Sequence, residues 1–78
     1  MEIKLNDFII ADNNICGGKP VFKGTRIMIW QVLELLGAGV SINEILKDYY
    51  PQLSRESILS LLNYASQILE DEKYVVLE

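Results

Sequence analysis

"VSINEILKDYYPQLSRESI", residues 40–58, decides the fold. Ser41, followed three positions on by Glu44, is a capping box: hydroxyl and carboxylate each accept a hydrogen bond from a backbone N–H at a helix start. Val40 and Ile45 have the spacing of the accompanying hydrophobic staple. The helix so begun is expected to run to Tyr49 and must stop before Pro51, because the residue preceding a proline is pushed out of helical space. Ser54 opens another helix, and Leu53 with Ile58 repeats the staple. Two helices joined by "YPQLS" (50–54) have the lengths of a helix-turn-helix unit.

Towards the C-terminus the reading extends that helix from Arg55 to Leu69. Ile58, Leu61, Leu62, Ala65, Ile68 and Leu69 form one apolar stripe, and Glu56, Ser60, Asn63, Gln67 and Glu70 form the opposite face. The end, "KYVVLE", changes to strand-like composition and predicts a short edge strand within a tail over 71–78, added to a sheet of this chain or another. Towards the N-terminus, Ile29, Val32, Leu33 and Leu36 predict a helix over Trp30–Ala38, stopped by Gly37 and Gly39. "TRIMIW" (25–30) reads as a strand handing over to that helix. "FIIA" (8–11) and "ICGGKPVF" (15–22) read as extended segments flanking the turn-forming "DNN". The expectation is one domain, residues 1–78, mostly α. A β-hairpin-like arm and loop occupy 1–28, and a three-helix bundle with a helix-turn-helix occupies 29–70.

Composition narrows the chemistry. A chain of 78 residues buries a modest share of its surface. Half of its residues are apolar, a surplus that points to self-association or a permanent partner. A single cysteine, Cys16, excludes an internal disulfide, and with no histidine there is neither a zinc-ligand set nor an imidazole base. No catalytic residue, metal site, cofactor or small-molecule substrate is indicated. The net charge of −4 weighs against non-specific nucleic-acid binding. "MEIKLNDFII" carries acids and lacks the apolar core of a secretory signal, and no apolar run spans a membrane, so a cytoplasmic setting is expected.

Against that acidic background stands "GGKPVFKGTR" (17–26), holding three of the five glycines and three of the seven basic residues. A phosphate-cradling loop needs its glycines, lysine and hydroxyl residue to lead from a strand directly into a helix. Here the order differs, and Pro20 removes an amide donor. The segment reads first as a turn built on Gly17, Gly18, Pro20, Gly24 and Thr25. Its cations, Lys19, Lys23 and Arg26, either contact an acidic partner or a phosphate backbone, or in the case of Arg26 pair internally with Glu34 or Glu44. On the last helix, Arg55, Asn63 and Gln67 are the candidate DNA-facing residues, opposed by Glu56 and Glu70. Trp30, Leu35, Leu59 and Tyr64 lie off the core stripes and, with Val75 and Val76, suggest a second surface, most simply that of a homodimer.

"GGKPVFKGTRI" followed by "GAGVSINEILKDYYPQLSRESILSLLNYA" resembles the domain of unknown function 433 family. Gly17, Gly18, Lys19, Pro20, Gly24, Thr25 and Arg26 match its signature loop, Pro51 and Leu53 its inter-helix turn, and Tyr64 and Ala65 its last helix. The resemblance implies a homeodomain-like or winged-helix-like three-helix fold with an N-terminal β arm. It also implies an antitoxin-like protein paired with a PIN-like nuclease toxin, and it brings no catalytic residue with it. The alternatives are a helix-turn-helix DNA-binding regulator and a purely structural homodimer.

Overall fold

The computed structural model describes residues 1–71. Strand β1 (Glu2–Lys4), strand β2 (Ile9–Asp12) and strand β3 (Val21–Phe22) form an antiparallel sheet in the order β1-β2-β3. Helix α1 (Ile29–Gly37) follows. Helix α2 winds as an α-helix over Ile42–Glu44 and as a π-helix over Ile45–Tyr49, and helix α3 spans Arg55–Asp71. The expected architecture is present: a three-helix unit with helix-turn-helix connectivity behind a small β arm. No helix among the described residues is long and apolar enough to cross a membrane. Residues 72–78, with Val75, Val76 and the expected terminal strand, lie outside the described residues. α3 runs through Asp71, the first residue of the expected tail.

The helix starts follow local chemistry. Ser41 Oγ accepts from the Glu44 amide at 3.1 Å, and Glu44 Oε1 accepts from the Ser41 amide at 3.1 Å. At the start of α3, Ser57 takes the place of the usual acid. Its hydroxyl accepts from the Ser54 amide, Ser54 Oγ accepts from the Ser57 amide, and both contacts measure 3.1 Å. The end of α2 is less regular than the expected α-helix. Tyr50, held extended at φ −133° and ψ 72° ahead of Pro51, donates five residues back to the Ile45 carbonyl at 2.7 Å. That bond is the π-helical one, and it lets α2 reach the proline without placing Tyr50 in helical space.

The core is formed where the sheet meets the helices. Ile9 stands opposite Phe22 across β2 and β3, and both side chains join Ile27, Ile29, Val32, Ile45, Leu53, Ile58 and Leu61 in one buried cluster. Val40 and Ile42 pack against it from α2's entry, Leu35 and Leu36 from α1, and Tyr64 from α3.

Three expectations are corrected. The arm has a third strand, β1, which pairs with β2 through Glu2–Asp12, Ile3–Ala11 and Lys4–Ile10. Residues 25–30 are not a strand: one bridge joins Val21 to Met28, after which the Ile29 amide donates to the Pro20 carbonyl at 3.1 Å and α1 begins. The apolar stripes are also narrower than drawn, since Leu33, Leu62, Ile68 and Leu69 are all exposed. Leu62 and Leu69 sit one step round the helix from the buried Ser57–Ile58–Leu61 face. Ile68 keeps that angle but lies too far along a helix of roughly 25 Å for the small core to cover it.

Candidate functional site

The loop over residues 12–29 is built almost wholly by short-range bonds. Asp12 Oδ1 accepts from the Asn14 amide at 2.9 Å, and this bond is the main reason its carboxyl titrates below the usual value of 3.8. Cys16, Gly17 and Gly18 then take positive φ angles of 51°, 67° and 86° in succession. Lys19 closes this left-handed turn by donating to the Cys16 carbonyl at 3.3 Å. A methyl group on Gly18 would also meet Asn13 Oδ1 at 3.4 Å. Cys16, the non-glycine member of the turn, is half-buried, and its thiol lies 3.5 Å from the Arg26 carbonyl.

After β3 the chain reverses over Phe22–Thr25. The Thr25 amide donates to the Phe22 carbonyl at 3.0 Å, with Gly24 at φ 79°, a turn geometry that asks for glycine in its third position. The Thr25 hydroxyl serves both ends of the corner. It donates to the Phe22 carbonyl at 2.7 Å and accepts from the Ile27 amide at 3.0 Å. Pro20, through its carbonyl, anchors the first residue of α1. Gly18, Pro20, Gly24 and Thr25 therefore all have structural tasks.

The three cations serve the fold through their backbones alone, and their side chains make no hydrogen bond or ion pair among the described residues. Lys19, Lys23 and Arg26 are exposed. Among the described residues the ion pairs are those of the Met1 ammonium with Asp12 and of Lys4 with Asp7. Neither Glu34 nor Glu44 pairs with Arg26. The bonds made by Cys16 bring the backbones of Lys19 and Arg26 to one corner, beside the first turn of α1. There Trp30 is 46% exposed and donates its indole N–H to Met28 Sδ at 3.3 Å. Lys23 lies apart, at the apex of the second turn. It lines a cleft of about 230 Å³ with Asp7, Phe8, Gln52 and Ser54.

The candidate DNA-facing residues do not form one open face. Arg55 Nη1 donates to Asn43 Oδ1 at 3.4 Å, tying α3 to α2. Asn63 and Gln67 line a second cleft of about 230 Å³ with Asn6, Ser60 and Tyr64, between the β1–β2 turn and α3. Of the proposed second surface, Trp30 and Leu59 are exposed, whereas Leu35 and Tyr64 are half-buried against the core. The sequence reading also missed Asn6, whose Oδ1 accepts from the Phe8 amide at 2.7 Å and shapes the β1–β2 turn. The signal was present in "ND" ahead of an apolar run, a side chain that hydrogen-bonds its own backbone two residues on.

A three-helix unit carrying a β arm, and displaying a hydrogen-bonded loop with three exposed cations, defines the class of this small domain. The chain belongs to the family described as "Protein of unknown function (DUF433)", whose model matches residues 9–65, from the start of β2 to Ala65 of α3. No curated protein and no solved structure matches it.

Proposed function

We propose that this protein is a non-enzymatic, antitoxin-like binding module of the cytoplasm that occludes the active site of a PIN-like nuclease. One observation carries the reading. Lys19, Lys23 and Arg26 stand exposed, with no carboxylate partner among the described residues, on a loop whose other members are committed to holding its shape. A hydrogen-bonded turn spares the cost of ordering the backbone on binding, each long side chain still losing its own rotamer freedom, and the unpaired charge is available to a partner. A nuclease that holds divalent metal offers carboxylates as the complementary surface. Trp30 beside the Lys19–Arg26 corner supplies the aromatic anchor such contacts favour. Co-expression with a PIN-like nuclease, sought among the products of the neighbouring genes, tests the reading. The wild-type protein should co-purify with the nuclease and restore growth, and K19E/K23E/R26E should do neither while keeping its helical circular dichroism. Growth rescue that survives the triple reversal defeats the proposal.

The helix-turn-helix connectivity of α2 and α3 favours a second role, autoregulation by DNA binding. Glu56 and Glu70 on the exposed side of α3 oppose it, since they face phosphates unfavourably. A low-salt gel shift with the upstream DNA decides; no shift even there removes it.

A further inference from the structure

β1 and β3 are the two outer strands of the sheet; β3 carries the Val21–Met28 bridge, whereas on β1 Glu2, Ile3 and Lys4 are all exposed. One side of β1 pairs with β2. The other presents backbone N–H and C=O groups that have no partner among the described residues, which makes it a template for another strand. We propose that a second copy of this chain adds to this edge, antiparallel, with Ile3 opposite the partner's Ile3, joining two three-stranded sheets into one of six.

The charges select that arrangement. Two identical strands paired about a two-fold axis place residue i opposite j and j opposite i. Centred on Ile3, the pairing sets Glu2 against the partner's Lys4 and Lys4 against the partner's Glu2. A slip by two residues either way puts Glu2 against Glu2 or Lys4 against Lys4, and like charges directly opposite destabilise a ladder. A slip by one turns every side chain to the wrong face. Lys4 Nζ lies 3.2 Å from Asp7 Oδ1, but both side chains are mostly exposed, at 63% and 85%. Such a pair contributes little, and Lys4 can be shared with the partner's Glu2. Ile3 is 56% exposed and faces the same side of the sheet as Ile9 and Phe22, so pairing extends an apolar face already in use. Edge-strand charges usually discourage pairing of any kind. Here the opposite signs at Glu2 and Lys4 exclude mismatched edges and admit this chain's own.

The contact is small beside the roughly 1,200–2,000 Å² of stable complexes, so the dimer is weak and depends on concentration. It is independent of the cationic loop, and its failure leaves the proposed function standing. Sedimentation of the full-length chain from about 10 μM to 1 mM tests it, spanning the range where weak association is read. The wild type should shift from monomer to dimer. E2K and K4E should each associate at least roughly tenfold more weakly, because each sets like charges opposite at both ends of the ladder. Mixed one to one, these two variants should form a heterodimer, and E2K/K4E in one chain should dimerise like the wild type. A wild type that stays monomeric throughout overturns the proposal. So do single variants that associate as the wild type does, or a mixture that fails to pair. Protection from hydrogen exchange, at every concentration, of the outward-facing β1 amides, those not bonded to β2, would give the edge to a segment of the same chain, and would also overturn it.

Discussion

Thr25→Val separates the two roles assigned to the signature loop. Valine keeps the shape and β-branching of threonine and deletes only the hydroxyl. The Phe22 carbonyl loses one donor but keeps the Thr25 amide at 3.0 Å, so its loss is about one net hydrogen bond, ~1 kcal/mol. The Ile27 amide loses its acceptor beside a side chain that is only 6% exposed, and stripping a buried donor costs ~1–3 kcal/mol. Together these come to about 2–4 kcal/mol, a large fraction of the stability of a domain this size. Urea unfolding followed by the fluorescence of Trp30, the only tryptophan, measures it directly. The melting temperature should fall by about 10–30 °C on the scaling for small domains. Thr25→Ser retains both bonds and gives up one half-buried methyl group, so it should cost only ~0.5 kcal/mol. K19E/K23E/R26E, in the same loop, should change stability by less than about 0.5 kcal/mol. A Thr25→Val protein as stable as the wild type, or a serine variant as damaged as the valine, would refute the division of labour between structural and contacting residues.

Other outcomes are expected. Gly24→Ala should cost ~1–2 kcal/mol in the same urea assay: no atom lies within 4 Å of the added carbon, so the whole effect is the left-handed backbone at φ 79°. Ile58→Ala, at a fully buried site, should cost about 2–5 kcal/mol, while Leu62→Ala, 39% exposed, should cost under about 1 kcal/mol; similar losses for the two would contradict the orientation of α3. Asp12 has its carboxyl held below 3.8 in the folded chain, so its contribution is present above that pH and is lost as pH falls through the lowered value. Acid unfolding of Asp12→Asn should accordingly lack the part of the pH dependence below about 4 that the wild type shows.

Much of the helical layout was legible because its signals are short-range. The hydroxyl of Ser41 and the carboxylate of Glu44 meet within one turn whatever the rest of the chain does. Pro51 limits Tyr50 by steric contact alone. The positions of the loop turns were readable for the same reason, from glycine, proline and threonine. β1 was not, since "EIK" is too short and too polar to declare itself and becomes a strand only when β2 supplies a ladder. Strand-like "TRIMIW" misled because Ile27 and Ile29 alternate as in a strand; both are buried, yet one ends a tight turn and the other starts a helix.

The candidate contact residues show the same division. Arg26 could be recognised by charge, but whether a carboxylate neutralised it depended on where α1 and α2 placed Glu34 and Glu44. Leu35 and Tyr64 looked as free as Trp30 and Leu59 until packing drew them onto the core. Helix starts, chain reversals and the cationic character of the loop rest on contacts among residues a few positions apart, which any folded or nascent form of the chain can make. The inner face of α3, the addition of β1 at the sheet edge and the freedom of the Lys19, Lys23 and Arg26 side chains rest on neighbours far off in sequence, and only close packing of sheet against helices chooses among them.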